Sequence, residues 1–316
     1  MYVVVSPFFK TFDDIGLIYK IPDFLLGKIN KGQIVTIPFK SSIEYGVVLR
    51  IQDTINADFD ESKIKSLISI HNPFIFLSKY RLELISWIAS YYFSPIHNSH
   101  NLFFPKNLAE KIKKDKVNLS KIKEYSYIFN HNITLSKAQI QAYSEIVKSK
   151  NNKILFYGLT GSGKTEIYIK LIQDCLQKRK QALFLIPEII LTNQLSEKII
   201  NVFGNDVLII NSTVTAATKT KYWLDINSGN AKIIIGTRSA LFYPFNNLGL
   251  IIMDEEHDNS YISDSSPRYN TVEVANKITE LNGNQLILGS GTPSIKSMYK
   301  GIKGKYKVIN LLEKYS

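Results

Sequence analysis

A glycine-rich octapeptide has the residue types and spacing needed to hold a phosphate. Its residues, in order, are Gly158, Leu159, Thr160, Gly161, Ser162, Gly163, Lys164 and Thr165. They fit G-x-x-x-x-G-K-[ST] at every fixed position, with an apolar run at 154–157 before them and a helical pattern after them. Glycines let successive backbone N–H groups curl around a phosphate, so we predict a nucleoside triphosphate site. Lys164 is expected to reach the β- and γ-phosphates and Thr165 to ligate Mg²⁺.

An acidic tetrapeptide, Asp254-Glu255-Glu256-His257, follows the apolar run 250–253. A carboxylate at the carboxyl end of a parallel strand lies where ligands bind in such sheets. We therefore predict that Asp254 holds Mg²⁺, directly or through water, and that Glu255 orients or deprotonates the attacking water. Lys164, Asp254 and Glu255 are thus the predicted catalytic residues. For His257 two interpretations stay open: it couples this site to the next motif, or it is a loop histidine with ordinary hydrogen bonds.

The elements that would position these residues are predicted from apolar runs. The runs lie at 154–157, 182–186, 207–210, 232–235, 250–253 and 285–288. Runs without polar alternation are typical of strands buried on both faces of a parallel sheet. They alternate with amphipathic helical stretches, which predicts an α/β fold with a parallel sheet flanked by helices.

The first third of the chain does not show this alternation of apolar runs and amphipathic helices. Short β-branched runs at 33–38 and 45–52 predict strands, and apolar spacing over 78–92 predicts a helix capped by Ser78. His97 and His100 lie three residues apart with no third ligand nearby, and we predict surface histidines. Lysines crowd residues 106–132, which favours a solvated linker or an exposed helix.

Composition narrows the possible partners. The 39 basic and 27 acidic residues give a net charge of +12, which favours nucleic acid first and an anionic membrane second. A general solubility charge and an AT-rich genome stay open as alternative causes. The single cysteine, Cys175, excludes a disulfide framework and a cysteine-based zinc site within these residues, and fits a reducing cytoplasm. No apolar run approaches the roughly 18–20 residues of a membrane span, and the first residues do not fit a signal peptide.

The order of the motifs resembles superfamily 2 helicases and, within them, the PriA family of replication-restart helicases. The further segments with this resemblance are 135–139 (LSKAQ), 187–192 (PEIILT), 236–240 (GTRSA), 289–293 (GSGTP) and the aromatic-rich loop 254–269. The resemblance implies a RecA-like motor lobe at 133–316, a β-rich DNA-end-binding domain at 1–105, and a basic linker at 106–132 where that family has a winged helix. It implies an ATP-dependent 3′-to-5′ DNA helicase that uses Mg²⁺, recognises stalled or repaired forks and initiates primosome assembly.

The resemblance also assigns roles to individual residues. Gln139 would recognise adenine, and His257, Ser290 and Thr292 would couple the nucleotide site to DNA. The residues implied in DNA binding are Phe12, Asp13, Lys65, Thr192, Thr237, Arg238, Ser239, Tyr261, Arg268 and Tyr269. Other roles stay open for five of them: core packing for Phe12, a carboxylate partner for Arg238, capping of local structure for Arg268, and anchoring of the loop for Tyr261 and Tyr269.

The sequence departs from the family pattern in several places. Gly291 stands where alanine is usual, and Lys40 where a glycine is usual. Few residues follow Pro293, so we expect an N-terminal fragment, with the second motor lobe, its arginine finger and a zinc site in a further part. The alternative function is a DNA-fork-binding module with a nucleotide-binding but catalytically incomplete lobe. Predicted partners are forks, single strands, 3′ ends, primosome proteins and single-strand-binding proteins in the cytoplasm, with no membrane.

Overall fold

The computed structural model describes residues 1–9, 16–55, 60–106, 108–114, 133–188 and 194–313. The chain divides into two units, one of residues 1–118 with 265–267 and one of residues 119–264 with 268–316. Within the described ranges, no helix is both long enough and apolar enough to cross a bilayer.

The first unit contains a five-stranded antiparallel sheet. Its elements are β1 Tyr2–Pro7, β2 Leu17–Lys20, β3 Gln33–Phe39, β4 Ser42–Gln52, β5 Ser69–Ile75, α1 Lys79–Tyr91, α2 Ile96–Asn101 and α3 Leu108–Lys113. The strand order is β2-β1-β4-β3-β5. Val3, Val5, Val35 and Val48 alternate toward one face and form its core. Lys40 opens the two-residue turn between β3 and β4 with a φ of 53°, in the left-handed region that glycine prefers.

The helices of this unit differ in part from the sequence predictions. Helix α1 begins after Ser78 as predicted, although the Ser78 side chain makes no capping hydrogen bond. The prediction of surface histidines is wrong, because α2 buries both His97 and His100. Part of the segment predicted as a solvated linker or an exposed helix forms the helix α3, although its Leu108 and Ile112 are buried.

The second unit is built on a seven-stranded sheet in which every pair is parallel. Its helices are α4 Lys137–Lys148, α5 Lys164–Gln177, α6 Gln194–Phe203, α7 Ala216–Asn227, α8 Thr271–Asn282 and α9 Ile295–Ile302. Its strands are β6 Lys153–Gly158, β7 Gln181–Leu185, β8 Val207–Ile210, β9 Ile233–Gly236, β10 Leu248–Met253, β11 Gln285–Ser290 and β12 Lys307–Leu311. The strand order is β12-β6-β11-β10-β7-β9-β8. The predicted α/β fold is confirmed.

The strand order explains how distant motifs come together. Strands β6, β11 and β10 are neighbours, and one motif begins at the carboxyl end of each: the phosphate loop, GSGTP and the acidic tetrapeptide. Because the carboxyl ends of parallel strands share one edge of the sheet, these three segments meet there. The strand interiors are almost fully buried, which holds that edge rigidly.

Candidate nucleotide site and nucleic-acid interface

The phosphate loop joins β6 to α5 through two glycines with positive φ, Gly161 at 79° and Gly163 at 81°. Gly163 is the N-cap of α5. Lys164 is 8 % exposed, and its Nζ donates to the Gly158 carbonyl at 2.8 Å. The Ser162 hydroxyl is buried and has no hydrogen-bond partner among the described residues. The loop thus places a lysine, a free hydroxyl and a helix N-terminus together, as an anion site requires.

Gln139 supports this loop from α4. Its side chain forms a capping box with Ser136 and donates through Nε2 to the Gly163 carbonyl at 3.1 Å. A Cβ added at Gly163 would lie 2.1 Å from that Nε2 at a φ of 81°, so another residue there would strain the backbone and displace the Gln139 side chain. Gln139 is fully buried. In this structure it holds the loop, and its role in recognising adenine stays a prediction.

Asp254 follows β10 and lies beside the phosphate-loop helix. Its backbone N–H donates to the Leu185 carbonyl, and its Oδ1 accepts a hydrogen bond of 2.9 Å from the Tyr168 hydroxyl. Burial, followed by repulsion from Glu255, raises the pKa of Asp254 to about 6. A half-buried carboxylate beside a second acid is a donor set that suits a hard divalent cation.

Glu255 connects the phosphate loop to the GSGTP segment. Its φ is 47°, a left-handed conformation that is costly for a residue other than glycine. Its Oε1 lies 3.5 Å from Lys164 Nζ, and its Oε2 accepts from the Gly291 N–H at 3.3 Å. The two predicted catalytic side chains Lys164 and Glu255 are therefore brought together.

His257 lies against the predicted coupling residues. Its Nδ1 is 2.8 Å from Ser290 Oγ, and its Nε2 is 3.3 Å from Thr292 Oγ1. The same Nδ1 lies 3.6 Å from Glu255 Oε2. The alanine usual at position 291 would fit, because a Cβ there would lie 3.5 Å from Thr160 Oγ1 in ordinary contact.

The sequence did not reveal the role of Glu256. This buried carboxylate accepts hydrogen bonds from the Ser294 N–H at 2.7 Å, the Ser294 hydroxyl at 3.1 Å and the Ser297 hydroxyl at 2.9 Å. The donors belong to the N-cap residue and the first turn of α9. Glu256 therefore holds the acidic tetrapeptide against the segment after GSGTP, a contact between positions 38 and 41 residues apart.

These residues fit a nucleoside triphosphate with magnesium. The free Ser162 hydroxyl and the N-terminus of α5 suit the phosphates, and the raised pKa of Asp254 shows a carboxylate that a cation would stabilise. Thr165 is half-buried at the start of α5 and supplies a hydroxyl next to Lys164. The ammonium group of Lys164, the first residue of α5, lies beside Glu255 at the same site.

The predicted DNA-stacking role of two tyrosines does not agree with their burial. Tyr261 is 1 % exposed, and its hydroxyl oxygen lies 3.0 Å from the Leu185 carbonyl and 2.8 Å from the Asp254 carbonyl, the two acceptors that its single proton can reach. Tyr269 is 4 % exposed and packs edge-on against Phe242. As placed, both rings anchor the loop to the lobe, which is the alternative that the sequence left open, because neither ring presents a face to a base.

Arg238 is bound to the same loop. Its Nη1 donates to the carbonyls of Ser260 at 2.9 Å and Ile262 at 2.5 Å, and its Nη2 lies 3.9 Å from the exposed Asp264. The guanidinium is one-third exposed. Both open interpretations of Arg238, DNA contact and pairing inside the lobe, stay compatible with this placement.

The structure describes four of the seven other predicted DNA residues. Thr237 is half-buried, and Ser239 and Arg268 are exposed. In the first unit, Lys65 donates from Nζ to the Lys40 carbonyl at 3.1 Å. Both lysines line a pocket of about 380 Å³. Three predicted residues, Phe12, Asp13 and Thr192, lie outside the described residues.

Two known protein families match the sequence, one in each of the two units. The family described as type III restriction enzyme, res subunit, matches residues 132–295, more than half of the chain. The chain belongs to this res-subunit family. A second family, the PriA 3′DNA-binding domain (3′BD), matches residues 3–105. The res-subunit match contains the phosphate loop, the acidic tetrapeptide and GSGTP.

Curated relatives of this res-subunit chain are replication restart proteins. The chain is 39 % identical over 301 residues to replication restart protein PriA of Rickettsia felis, covering 94 % of the chain and 44 % of that protein. It is 37 % identical over 275 residues to PriA of Helicobacter pylori strain 26695, covering 87 % of the chain and 41 % of that protein. The predicted resemblance to PriA is confirmed, and the chain spans less than half the length of these relatives. A solved structure of RecG bound to a three-way DNA junction is 22 % identical with a TM-score of 0.44, covering 70 % of this chain and 31 % of that one.

Proposed function

We propose that this chain binds Mg·ATP at the edge formed by β6, β11 and β10 and binds DNA 3′ ends through its first unit. We further propose that the intact protein is an ATP-dependent 3′-to-5′ helicase of replication restart, which recognises forks and assembles with primosome and single-strand-binding proteins in the cytoplasm. The observation that supports this most strongly is the contact of Lys164 with Glu255, 3.5 Å apart, because it joins the two halves of a phosphoryl-transfer site.

The residues divide the proposed work. Lys164, held by the Gly158 carbonyl and Glu255, is placed to bind phosphate oxygens with its ammonium group. Thr165 and Asp254 would hold magnesium, which when bound offsets phosphate charge. Glu255 is placed to orient the attacking water and accept its proton at a carboxylate oxygen. Through Gly291 and His257, Glu255 is also connected to the segment proposed to couple hydrolysis to DNA.

Single-stranded-DNA-stimulated ATP hydrolysis tests this proposal. Lys164→Ala should abolish nucleotide binding and hydrolysis, whereas Lys148→Ala, which removes an exposed lysine of α4, should leave both unchanged. ATP binding without any DNA-stimulated hydrolysis would support the second candidate, a fork-binding module with a catalytically incomplete lobe. That candidate is favoured by the short span of this chain, because it covers 44 % of the first relative's length.

Binding to DNA ends tests the first unit separately. Asp13→Ala should weaken binding to a fork with a free 3′-hydroxyl more than binding to a fork with a blocked 3′ end, because a carboxylate accepts a hydrogen bond from the hydroxyl. An equal loss for both forks would refute the assignment of the 3′-end pocket. Lys65→Ala should weaken both, since an ammonium group attracts phosphate whatever the end group.

A further inference from the structure

The phosphate-loop helix α5 contains a tyrosine that phosphate binding does not explain. Tyr168 lies four residues after Lys164 and three after Thr165, so the three side chains share one side of the helix. Tyr168 is fully buried, and its hydroxyl donates to Asp254 Oδ1 at 2.9 Å. One helix therefore provides Lys164 and Thr165 and also restrains the carboxylate of Asp254, which belongs to a different strand.

The surroundings of Tyr168 leave its hydroxyl little freedom. The ring packs edge-on against Phe156 and Phe184, with centroid distances of 6.1 and 5.4 Å. The buried, packed ring therefore favours one fixed hydrogen bond from the hydroxyl to Asp254.

Gly289 on β11 provides the space that this hydroxyl occupies. A Cβ added at Gly289 would lie 1.8 Å from the Tyr168 hydroxyl oxygen and 3.2 Å from Asp254 Oδ1. Gly289 needs no positive φ, so the requirement for glycine here is steric and comes from the hydroxyl. The first glycine of GSGTP thus serves the contact between Tyr168 and Asp254.

We propose that Tyr168 is a positioning residue that orients the Asp254 carboxylate for the divalent cation of the nucleotide, and that Gly289 is needed to admit its hydroxyl. This inference rests on the proposed Mg·ATP site. It adds a residue outside the phosphate loop and the acidic tetrapeptide, and it gives the two predicted magnesium ligands, Thr165 and Asp254, a direct structural link through α5.

The affinity for a fluorescent ATP analogue, measured on the full chain with excess Mg²⁺ and again with EDTA, tests the proposal. Tyr168→Phe should weaken binding about tenfold with Mg²⁺, as loss of one hydrogen bond to a charged group predicts, and less than about twofold with EDTA. Tyr143→Phe is the matched control, because the Tyr143 hydroxyl donates to Asp174 near the other end of α5. This control should bind as the unmodified chain does under both conditions.

Gly289→Ala provides a second, independent test through a double-mutant cycle. Alone, it should reproduce the magnesium-selective loss, because its Cβ displaces the Tyr168 hydroxyl. In the Tyr168→Phe background it should cost clearly less, since no hydroxyl is left to displace. Equal costs in both backgrounds would overturn the role given to Gly289.

Two results would overturn the role of Tyr168 while leaving the nucleotide site intact. One is unchanged magnesium-dependent affinity in Tyr168→Phe, and the other is an equal loss with and without Mg²⁺, which indicates a general disturbance of the lobe. If the unmodified chain binds no nucleotide, or Lys164→Ala binds as well as it does, the proposed function fails and this inference fails with it.

Discussion

Glu256 offers the sharpest test of how the acidic tetrapeptide is held. Replacing it by glutamine keeps the shape but removes the charge that accepts three hydrogen bonds from Ser294 and Ser297. A hydrogen bond to a charged group contributes about 1.5–3 kcal/mol and a neutral one about 0.5–1.5 kcal/mol. Three bonds weakened by about 1 kcal/mol each give about 3 kcal/mol, and rotation of the two serine hydroxyls recovers part of this. We expect Glu256→Gln to lower the free energy of unfolding by about 2 kcal/mol.

Urea unfolding followed by the fluorescence of Trp223 measures this loss in the second unit, where that side chain is buried. Trp87→Phe in all variants removes the other tryptophan of the chain. Glu280→Gln is the matched control, because Glu280 is half-exposed and its ion pairs with Lys153 and Lys277 should contribute less than about 1 kcal/mol. If Glu256→Gln shifts the unfolding midpoint no more than Glu280→Gln does, the hydrogen bonds to α9 do not stabilise this lobe.

Three further changes have defined outcomes. Burial lowers the pKa of His100 to about 3, so below about pH 6.5 the unfolded chain binds a proton that the folded chain does not. The free energy of unfolding should therefore fall as the pH drops toward 3, by up to about 1.4 kcal/mol per pH unit. His100→Phe should reduce this slope in urea unfolding between pH 6.5 and 4, and an unchanged slope would contradict the burial of a neutral His100. Gly163→Ala should abolish ATP-analogue binding, because the added Cβ would lie 2.1 Å from Gln139 Nε2 at a positive φ; retained affinity would show that the loop tolerates another geometry. Burial raises the pKa of the Cys175 thiol to about 12, so iodoacetamide should modify it only after the chain unfolds, and rapid labelling of the native chain would disprove this.

Much of the second unit was predictable from the sequence because its strands are buried on both faces. Six apolar runs gave six strands, and the seventh, β12, was missed because an edge strand alternates exposed and buried residues among lysines. The phosphate loop and the acidic tetrapeptide were found for a similar reason, since each is one contiguous segment between a strand and the next element. The antiparallel strands β1, β2 and β5 of the first unit were not located, because short runs there have weaker patterns.

Contacts between distant segments were the part that the sequence could not provide. Tyr168 follows the ordinary apolar spacing of an amphipathic helix, so nothing in the pattern indicates its hydrogen bond to Asp254. His97 and His100 were misplaced because the segment 96–101 is polar and its burial depends on packing within the first unit. For the tyrosines of the loop, the sequence left DNA stacking and loop anchoring both open, since the burial of Tyr261 comes from packing against distant segments such as the strand of Leu185.

The left-handed turn at Glu255 has a consequence for insertions and deletions. Because the chain bends there, three consecutive acids face three different neighbours: Asp254 faces Tyr168, Glu255 faces Lys164, and Glu256 faces the start of α9. A substitution at one position disturbs one of these contacts. A single residue inserted after Met253 would shift the register and place all three acids in the wrong environment at once. The fold of the segment 253–257, as distinct from its proposed catalytic role, should therefore be disturbed far less by a change of one side chain than by any change of length.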